Sequence, residues 1–202
     1  METHPKSTSN AADREGAHTI FFIGKPGCGK GTQANLLSQA TGWPVFASGK
    51  LFRDISQEDT PVGHKMKAEN DAGMLAPHWF AMYLYLTSLF SIDGNASAIF
   101  DGFNRKVPEA ELVIDSLRWL GRSCTILNIK VSDEEVRRRL VLRKETEGRA
   151  DDAVVEERLK EYYEHTEPAI ELFRTSGVLI EINGEQTPEE IAVDIRKVLS
   201  IN

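Results

Sequence analysis

The segment of this sequence best suited to chemistry is a glycine-rich run with a lysine near its end, residues 24–32, GKPGCGKGT. Glycines allow backbone N–H groups to turn inward around phosphate oxygens, and the N-terminus of a following helix adds the positive end of its dipole. Lys30 would reach the β- and γ-phosphates, and a nearby hydroxyl would meet a magnesium ion. The run therefore predicts a nucleoside triphosphate site; a glycine-rich turn without a ligand is the alternative.

The positions of one hydroxyl group and one thiol group in this run bear on how it would bind a ligand. The common phosphate-loop pattern has Ser or Thr directly after the lysine, whereas here Gly31 takes that place and Thr32 follows it. Cys28 lies at the start of the predicted helix, where a thiolate is favoured. We therefore expect alkylation of Cys28 to block ATP binding; a small, inert loop residue is the alternative.

Charged residues later in the chain could bind or neutralise the phosphates of such a ligand. Asp101 ends an apolar run and is placed to orient magnesium or its waters, unless it caps the next turn. Arg53 and Arg105 carry guanidinium forks that match phosphate oxygens, although surface arginines are commonly solvated. Arg139 and Arg143 stand four residues apart, so one helix face presents both; a basic turn that complements the helix dipole is the alternative.

Apolar runs that alternate with helical patterns must position these groups. Strands are predicted over residues 19–24, 97–101, 124–131 and 178–182. This alternation favours a parallel sheet covered by helices on both faces. Helix starts are indicated by Pro108 and by two capping boxes, Ser132 with Glu135 and Thr187 with Glu190.

Two segments interrupt the alternation. Residues 49–76 carry mixed helical signals without a strand, and residues 144–152 are charged and lack an apolar anchor. Mobile lobes over a site are one interpretation of these excursions, and plain surface loops are the other.

Composition excludes several classes of protein. The chain has 202 residues, 24 of them basic and 31 acidic, with a formal net charge of −7, which suits one domain with a sizeable core. The acidic balance argues against a general binder of nucleic acid or anionic membrane. Two cysteines are too few for a disulfide framework and fit a reducing cytosol. The first 18 residues lack the apolar stretch of a signal peptide, and residues 79–90 are too short to span a bilayer.

Residues 24–33, GKPGCGKGTQ, resemble the phosphate loop of the adenylate kinase family of nucleoside monophosphate kinases. The resemblance extends along nearly the whole chain after residue 18. The segments that carry it are Ser48-Gly49 with Leu51 and Arg53, GMLAP at 73–77, DGFNR at 101–105, GRADD at 148–152, and Asn183-Gly184 with Gln186.

This resemblance implies an α/β fold of the P-loop NTPase type, with three layers and a parallel sheet flanked by helices. It implies a single kinase domain over residues 19–202, and we expect a disordered tail over residues 1–18 because nothing in that polar segment can repay the entropy of ordering. Within that domain we expect a monophosphate-binding lobe at about residues 48–77 and a short lid at about residues 143–156.

The resemblance also implies site residues. Catalytic roles fall to Lys30, Asp101, Arg143, Arg149 and Arg158. ATP binding falls to Gly27, Cys28, Gly29, Lys30, Gly31, Thr32, Arg139, Arg143 and Gln186. Monophosphate binding falls to Ser48, Arg53, Met74, Leu75, Ala76, Gly102, Phe103, Asn104, Arg105, Glu109, Arg149 and Arg158. Magnesium would be held through the nucleotide phosphates, with Thr32 and Asp101 nearby and no direct protein ligand.

The implied activity is ATP-dependent, Mg²⁺-assisted transfer of a phosphoryl group to a nucleoside monophosphate, ATP + AMP = 2 ADP. ATP and the monophosphate would be the partners of a monomeric, cytoplasmic enzyme that binds neither nucleic acid nor membrane. A UMP, CMP or GMP kinase and a catalytically impaired nucleotide-binding regulator are the alternatives. The choice of acceptor stays open because four residues depart from the family pattern: Lys50 for Asp, Ala76 for Val, Asn104 for Pro and Glu109 for Gln.

Glu109 bears most directly on the acceptor. The family's Gln accepts from the adenine 6-amino group and donates to the ring nitrogen beside it, whereas a carboxylate can only accept. UMP and GMP present a ring N–H that suits a carboxylate. The alternative is that Glu109 complements the dipole of the helix that starts near Pro108.

Overall fold

A computed structural model describes residues 17–94, 96–147 and 154–201. The strands in these ranges are β1 (His18–Gly24), β2 (Val45–Ala47), β3 (Ala98–Asp101), β4 (Ser123–Lys130) and β5 (Leu179–Asn183). The helices are α1 (Lys30–Thr41), α2 (Ser48–Ser56), α3 (Pro61–Asp71), α4 (His78–Phe90), α5 (Val107–Trp119), α6 (Asp133–Glu147), α7 (Val155–Glu161), α8 (Glu167–Thr175) and α9 (Pro188–Leu199). A π-helical turn, Tyr162–Thr166, joins α7 to α8.

The five strands form one parallel sheet in the order β2-β3-β1-β4-β5. In its centre, Phe21 of β1 lies between Phe100 of β3 and Ile126 of β4. Because all strands run the same way, their carboxyl ends meet at one edge, where open α/β sheets bind ligands. The glycine-rich run after β1 and Asp101 at the end of β3 therefore share that edge.

Alternate side chains of β1 feed two apolar clusters, one on each face of the sheet. Phe21 and Ile23 pack with residues of α4, α5 and α8, and Ile20 and Phe22 pack with residues of α1, α6 and α9. All four are at most 1% exposed. Burial on both faces explains why this strand is apolar throughout rather than alternating. The structure confirms the predicted three-layer α/β fold.

The four predicted strands are present, and the structure adds β2, which the sequence analysis missed. β2 spans three partly buried residues, too few to show a periodic pattern. It forms because Val45 and Phe46 pair with Ile99 and Phe100 of β3. The boundary of the predicted tail also moves, since His18 already belongs to β1.

The two predicted capping boxes differ. At α9, the amide of Glu190 donates to Thr187 Oγ1 at 3.3 Å and the amide of Thr187 donates to Glu190 Oε2 at 2.9 Å. At α6, the amide of Glu135 donates to Ser132 Oγ at 3.3 Å, but the amide of Ser132 donates to Glu185 Oε1 at 2.7 Å instead. The reciprocal bond is lost because the Glu135 carboxylate accepts from two arginines of its own helix.

The structure also describes much of the two segments that interrupt the alternation of strands and helices. Residues 49–76 contain α2 and α3 without a strand, and α6 continues through residue 147. The signature GRADD, with Arg149, and residues 1–16 of the predicted tail lie outside the described residues. In the part of the chain that the structure describes, no helix combines the length and apolarity that crossing a membrane demands.

Candidate active site

The turn between β1 and α1 forms a cradle of backbone amides. The N-cap of α1, Gly29, is left-handed with φ 104°, and among the described residues no side chain caps the helix. Gly24 has φ 138°, and a Cβ there would lie 2.6 Å from the carbonyl oxygen of Ile129. Both the conformation and the close approach require glycine. The first-turn amides of α1 therefore remain available to an anion.

Lys30 is held by the backbone of this cradle. Its Nζ donates to the carbonyl oxygens of Gly24 at 2.9 Å and Lys25 at 2.8 Å, and it lies 3.5 Å from Cys28 Sγ. Burial lowers the pKa of Lys30, and the negative charge of Asp101 offsets this shift in part. A polyphosphate bound to the cradle would supply the missing counter-charge.

Asp101 reaches the cradle from the end of β3. Its Oδ2 would lie 3.3 Å from a Cβ added to Gly31, so the carboxylate stands beside the first turn of α1. Thr32 borders the same cavity. A carboxylate and a hydroxyl are hard oxygen donors of the kind that suit Mg²⁺ and its waters.

A second polar cluster surrounds Gly102. This glycine has φ 76°, and a Cβ there would lie 2.6 Å from Nη2 of Arg105 and 2.9 Å from Oγ of Ser48. Arg105 Nε donates to the carbonyl oxygen of Gly102 at 2.6 Å. Ser48 Oγ is buried and has no hydrogen-bond partner among the described residues. Buried hydroxyls normally have a partner, so this position suits either a water or a ligand atom.

Glu109 closes the start of α5 while bordering the cavity. It is 3% exposed, and its Oε2 accepts from the amides of Arg105 at 2.6 Å and Lys106 at 3.2 Å. Burial raises the pKa of Glu109, and these two backbone hydrogen bonds oppose the shift. These contacts place Glu109 at the start of α5, in agreement with the alternative that it stabilises the helix there. Its side chain also borders the cavity, so recognition of the acceptor base by Glu109 stays a prediction.

Two residues that the sequence analysis missed join distant segments at this site. Lys106 Nζ donates to the carbonyl oxygen of Ala76 at 3.1 Å, and the amide of Leu75 donates to Glu161 Oε2 at 3.2 Å. Glu161 and Arg158 both border the cavity from α7. Residues three apart share a helix face, and this spacing is the signal that could have identified Glu161.

Arg139 joins the phosphate cradle to the segment after β5. Its Nε donates to Glu135 Oε1 at 2.6 Å, its Nη1 to the carbonyl oxygen of Cys28 at 3.2 Å, and its Nη2 to that of Gly184 at 2.8 Å. Arg143, one turn later, borders the same cavity. The predicted common face of these two arginines thus turns toward the site.

Most of the predicted residues share one cavity of about 990 Å³, at the upper end of the range for ligand pockets. Those that line it are Gly27, Gly29, Lys30, Gly31, Thr32, Ser48, Arg53, Met74, Leu75, Ala76, Asp101, Gly102, Phe103, Arg105, Glu109, Arg139, Arg143 and Arg158.

Three predicted residues that the structure describes, Cys28, Asn104 and Gln186, do not line the cavity. Cys28 is 0% exposed and packs in the apolar cluster with α1 and α6, so burial opposes the expected alkylation and favours the inert loop residue. Asn104 is equally buried, in a left-handed conformation with φ 59°. Gln186 Nε2 donates to the Asn183 carbonyl oxygen at 3.2 Å and to Asp194 Oδ2 at 3.0 Å.

Comparison with known proteins agrees with this geometry. The adenylate kinase family model matches residues 22–178. An adenylate kinase of Thermus thermophilus is 36% identical over 185 residues, which cover 90% of this chain and 97% of that protein. An adenylate kinase of Maricaulis maris is 35% identical over 183 residues, covering 89% and 97%. Adenylate kinase 1 of a Nostoc species is 33% identical over 183 residues with the same coverage.

Proposed function

Because this chain belongs to the adenylate kinase family, and is therefore a nucleoside monophosphate kinase, we propose that it transfers a phosphoryl group from ATP to AMP. The observation that carries the proposal is one cavity lined by two sets of groups whose chemistry suits phosphate. The cradle with Lys30 forms one set, and Arg53 and Arg105 near Ser48 form the other. The relatives named adenylate kinase support AMP as the acceptor.

Each set of groups has a role that follows from its chemistry. The cradle amides and Lys30 hold the phosphates of the donor and stabilise charge that develops on the transferring group. Arg53 and Arg105 hold the acceptor phosphate through two parallel hydrogen bonds each. Arg139 and Arg143 add positive charge near the donor. Once both anions are held in line, positioning and electrostatic stabilisation supply most of the catalysis.

The residues present also fit magnesium bound together with ATP. Asp101 and Thr32 stand beside the cradle and would orient the ion or its waters. When bound, Mg²⁺ supplies additional positive charge to the phosphate oxygens.

We assign two lobes to the domain, the monophosphate lobe at residues 48–77 and the short lid at residues 143–156. A Cβ on Gly73 would lie 3.1 Å from Arg158 Cγ, so the end of the first lobe lies against α7. In this proposal Arg143, Arg149 and Arg158 close over the transferring group and exclude water.

A coupled assay tests the acceptor. Initial rates are measured with ATP and Mg²⁺ against AMP, CMP, UMP, GMP and their deoxy forms, and AMP is expected to give the highest kcat/KM. A higher value for UMP or GMP would assign the chain to a kinase of that nucleotide. Loss of transfer to every acceptor, with ATP still bound, would instead indicate a nucleotide-binding regulator.

Glu109→Gln is expected to raise kcat/KM for AMP relative to UMP and GMP by about tenfold, roughly 1.4 kcal/mol. The carboxamide oxygen of Gln can still accept from the amides of Arg105 and Lys106, which keeps the helix start closed. Its NH₂ group then offers a donor to the cavity where the carboxylate offers an acceptor. The ratio of kcat/KM values for the acceptors is the measurement.

Glu111→Gln is the matched control for this variant, because Glu111 is an exposed glutamate two positions later on α5. It makes the same change in charge on the same helix and should leave the acceptor ratio unchanged. If Glu109→Gln also keeps the ratio within twofold, Glu109 acts at the helix start alone. Acceptor choice would then rest on backbone contacts around Ser48, Ala76 and Gly102.

A further inference from the structure

A charged and aromatic cluster lies directly behind the phosphate cradle. Lys25, the second residue of the glycine-rich run, forms an ion pair with Asp133 Oδ1 at the start of α6. Tyr163 of the π-helical turn donates its hydroxyl to the same oxygen at 2.7 Å. The cluster therefore connects the cradle, α6 and the turn after α7.

The lysine is also held by aromatic rings. Lys25 Nζ lies 5.2 Å from the ring centroid of Tyr163 and 5.9 Å from that of Tyr162. The two rings meet edge to face, with centroids 5.3 Å apart. A cation within about 6 Å of an aromatic centroid is attracted by the negative face of the ring. Lys25 thus has one carboxylate and two rings as partners.

The π-helical turn explains how consecutive tyrosines reach one ammonium group. The amide of Glu167 donates to the carbonyl oxygen of Tyr162, five residues back, which widens this turn relative to an α-helix. π-Turns inside helices occur frequently at functional sites. Here Tyr162 also borders the cavity, so the turn adjoins both the cluster and the site.

The charges of the pair support each other. The hydrogen bond from Lys25 lowers the pKa of Asp133. Burial alone would lower the pKa of Lys25, but its interactions with Asp133 and Tyr163 outweigh that effect and raise the pKa. Lys25 is 16% exposed and Asp133 is 32% exposed, so solvent screens the pair only in part.

The backbone of Lys25 connects this cluster to the chemistry. Its carbonyl oxygen accepts from Lys30 Nζ at 2.8 Å and from the amide of Cys28 at 3.3 Å. A displacement of the Lys25 side chain would therefore shift an oxygen on which the Lys30 ammonium rests. Misplacement of a reacting group by about 1 Å can lower a rate by about 10²-fold.

We infer that Lys25, anchored by Asp133 and Tyr163, is a positioning residue that fixes the cradle carbonyl holding Lys30. The inference rests on the proposed function, because Lys30 must act on the donor phosphates. The ammonium of Lys25 does not touch the nucleotide in this assignment. It holds the cradle against α6 and the π-helical turn, so that Lys30 stays aligned with the donor phosphates.

Lys25→Met tests the inference, because it keeps the length of the side chain and removes its charge. We expect kcat to fall by on the order of tenfold, with the KM for AMP within twofold of the parent value. Lys25→Arg should restore kcat to within threefold, since a guanidinium can pair with Asp133 and stack on the tyrosine rings. Tyr163→Phe, which keeps the ring and removes the hydroxyl, should lower kcat by about threefold.

Arg174→Met is the matched control, because Arg174 forms ion pairs with Glu171 and Glu181 and does not line the cavity. Melting temperatures of all variants are measured alongside the rates. Because Lys25 and Tyr163 share Asp133, the double variant Lys25→Met with Tyr163→Phe should be little slower than Lys25→Met alone.

The outcomes that would overturn the inference are distinct from the one that would refute the proposed function. If Lys25→Met keeps kcat within twofold of the parent, or if Arg174→Met loses as much, the inference is overturned. Should Lys25→Met fail to fold, Tyr163→Phe decides, and an unchanged kcat in that variant also overturns it. A parent protein that phosphorylates no monophosphate would instead refute the proposed function, which separates the two failures.

Discussion

Lys30→Ala is expected to lower kcat by about 10²–10³-fold while the fold stays intact. The ammonium of Lys30 is preorganised, since it rests on the carbonyl oxygens of Gly24 and Lys25 before any ligand binds. Such a donor stabilises charge on the transferring phosphoryl group without reorganising during the reaction. Burial lowers the pKa of Lys30, so keeping its ammonium group charged costs free energy in the folded protein. Bound phosphates would offset that cost.

Steady-state rates with ATP, Mg²⁺ and AMP, together with melting temperatures, measure this effect. Lys130→Ala is the control, because Lys130 is an exposed lysine paired with Glu181 at 3.2 Å and does not line the cavity. A loss of less than threefold in kcat for Lys30→Ala, with unchanged thermal stability, would contradict the placement of the active site at the cradle.

Arg105→Ala is expected to raise the KM for the monophosphate by roughly 10- to 150-fold, equivalent to about 1.5–3 kcal/mol, and to change the KM for ATP far less. Arg105 is already oriented, since its Nε donates to the carbonyl oxygen of Gly102 at 2.6 Å. Its remaining N–H groups can therefore meet an acceptor phosphate near Ser48 with little loss of side-chain freedom.

The KM values for both substrates, obtained by varying each at saturating concentrations of the other, separate the two sites. Arg118→Ala serves as the control, because Arg118 is an exposed arginine in the last turn of α5. If the KM for ATP rises in Arg105→Ala while that for AMP does not, Arg105 belongs to the donor site and the proposed assignment of the two sites is reversed.

The donor side of the site was accessible from sequence because its signals act over a few neighbouring residues. Glycine conformations, apolar runs and the Thr187 capping box are local, and they placed the cradle, the four longer strands and the start of α9. Lys30 and Asp101 could be placed together because loops that follow parallel strands meet at one sheet edge. Resemblance to a family supplied the acceptor residues, which composition and spacing alone would not have singled out.

Tertiary structure alone decided the contacts between segments that are distant in sequence. The cluster behind the cradle pairs Lys25 with Asp133, 108 positions away, and Leu75 meets Glu161 across 86 positions. Tertiary packing also buries the thiol of Cys28, which the sequence analysis expected to react with alkylating reagents. The conformational preferences of neighbouring residues do not determine these long-range contacts, because the contacts depend on where the completed helices pack on the sheet. Even β2 follows this rule, since three residues become a strand only when β3 offers them a partner.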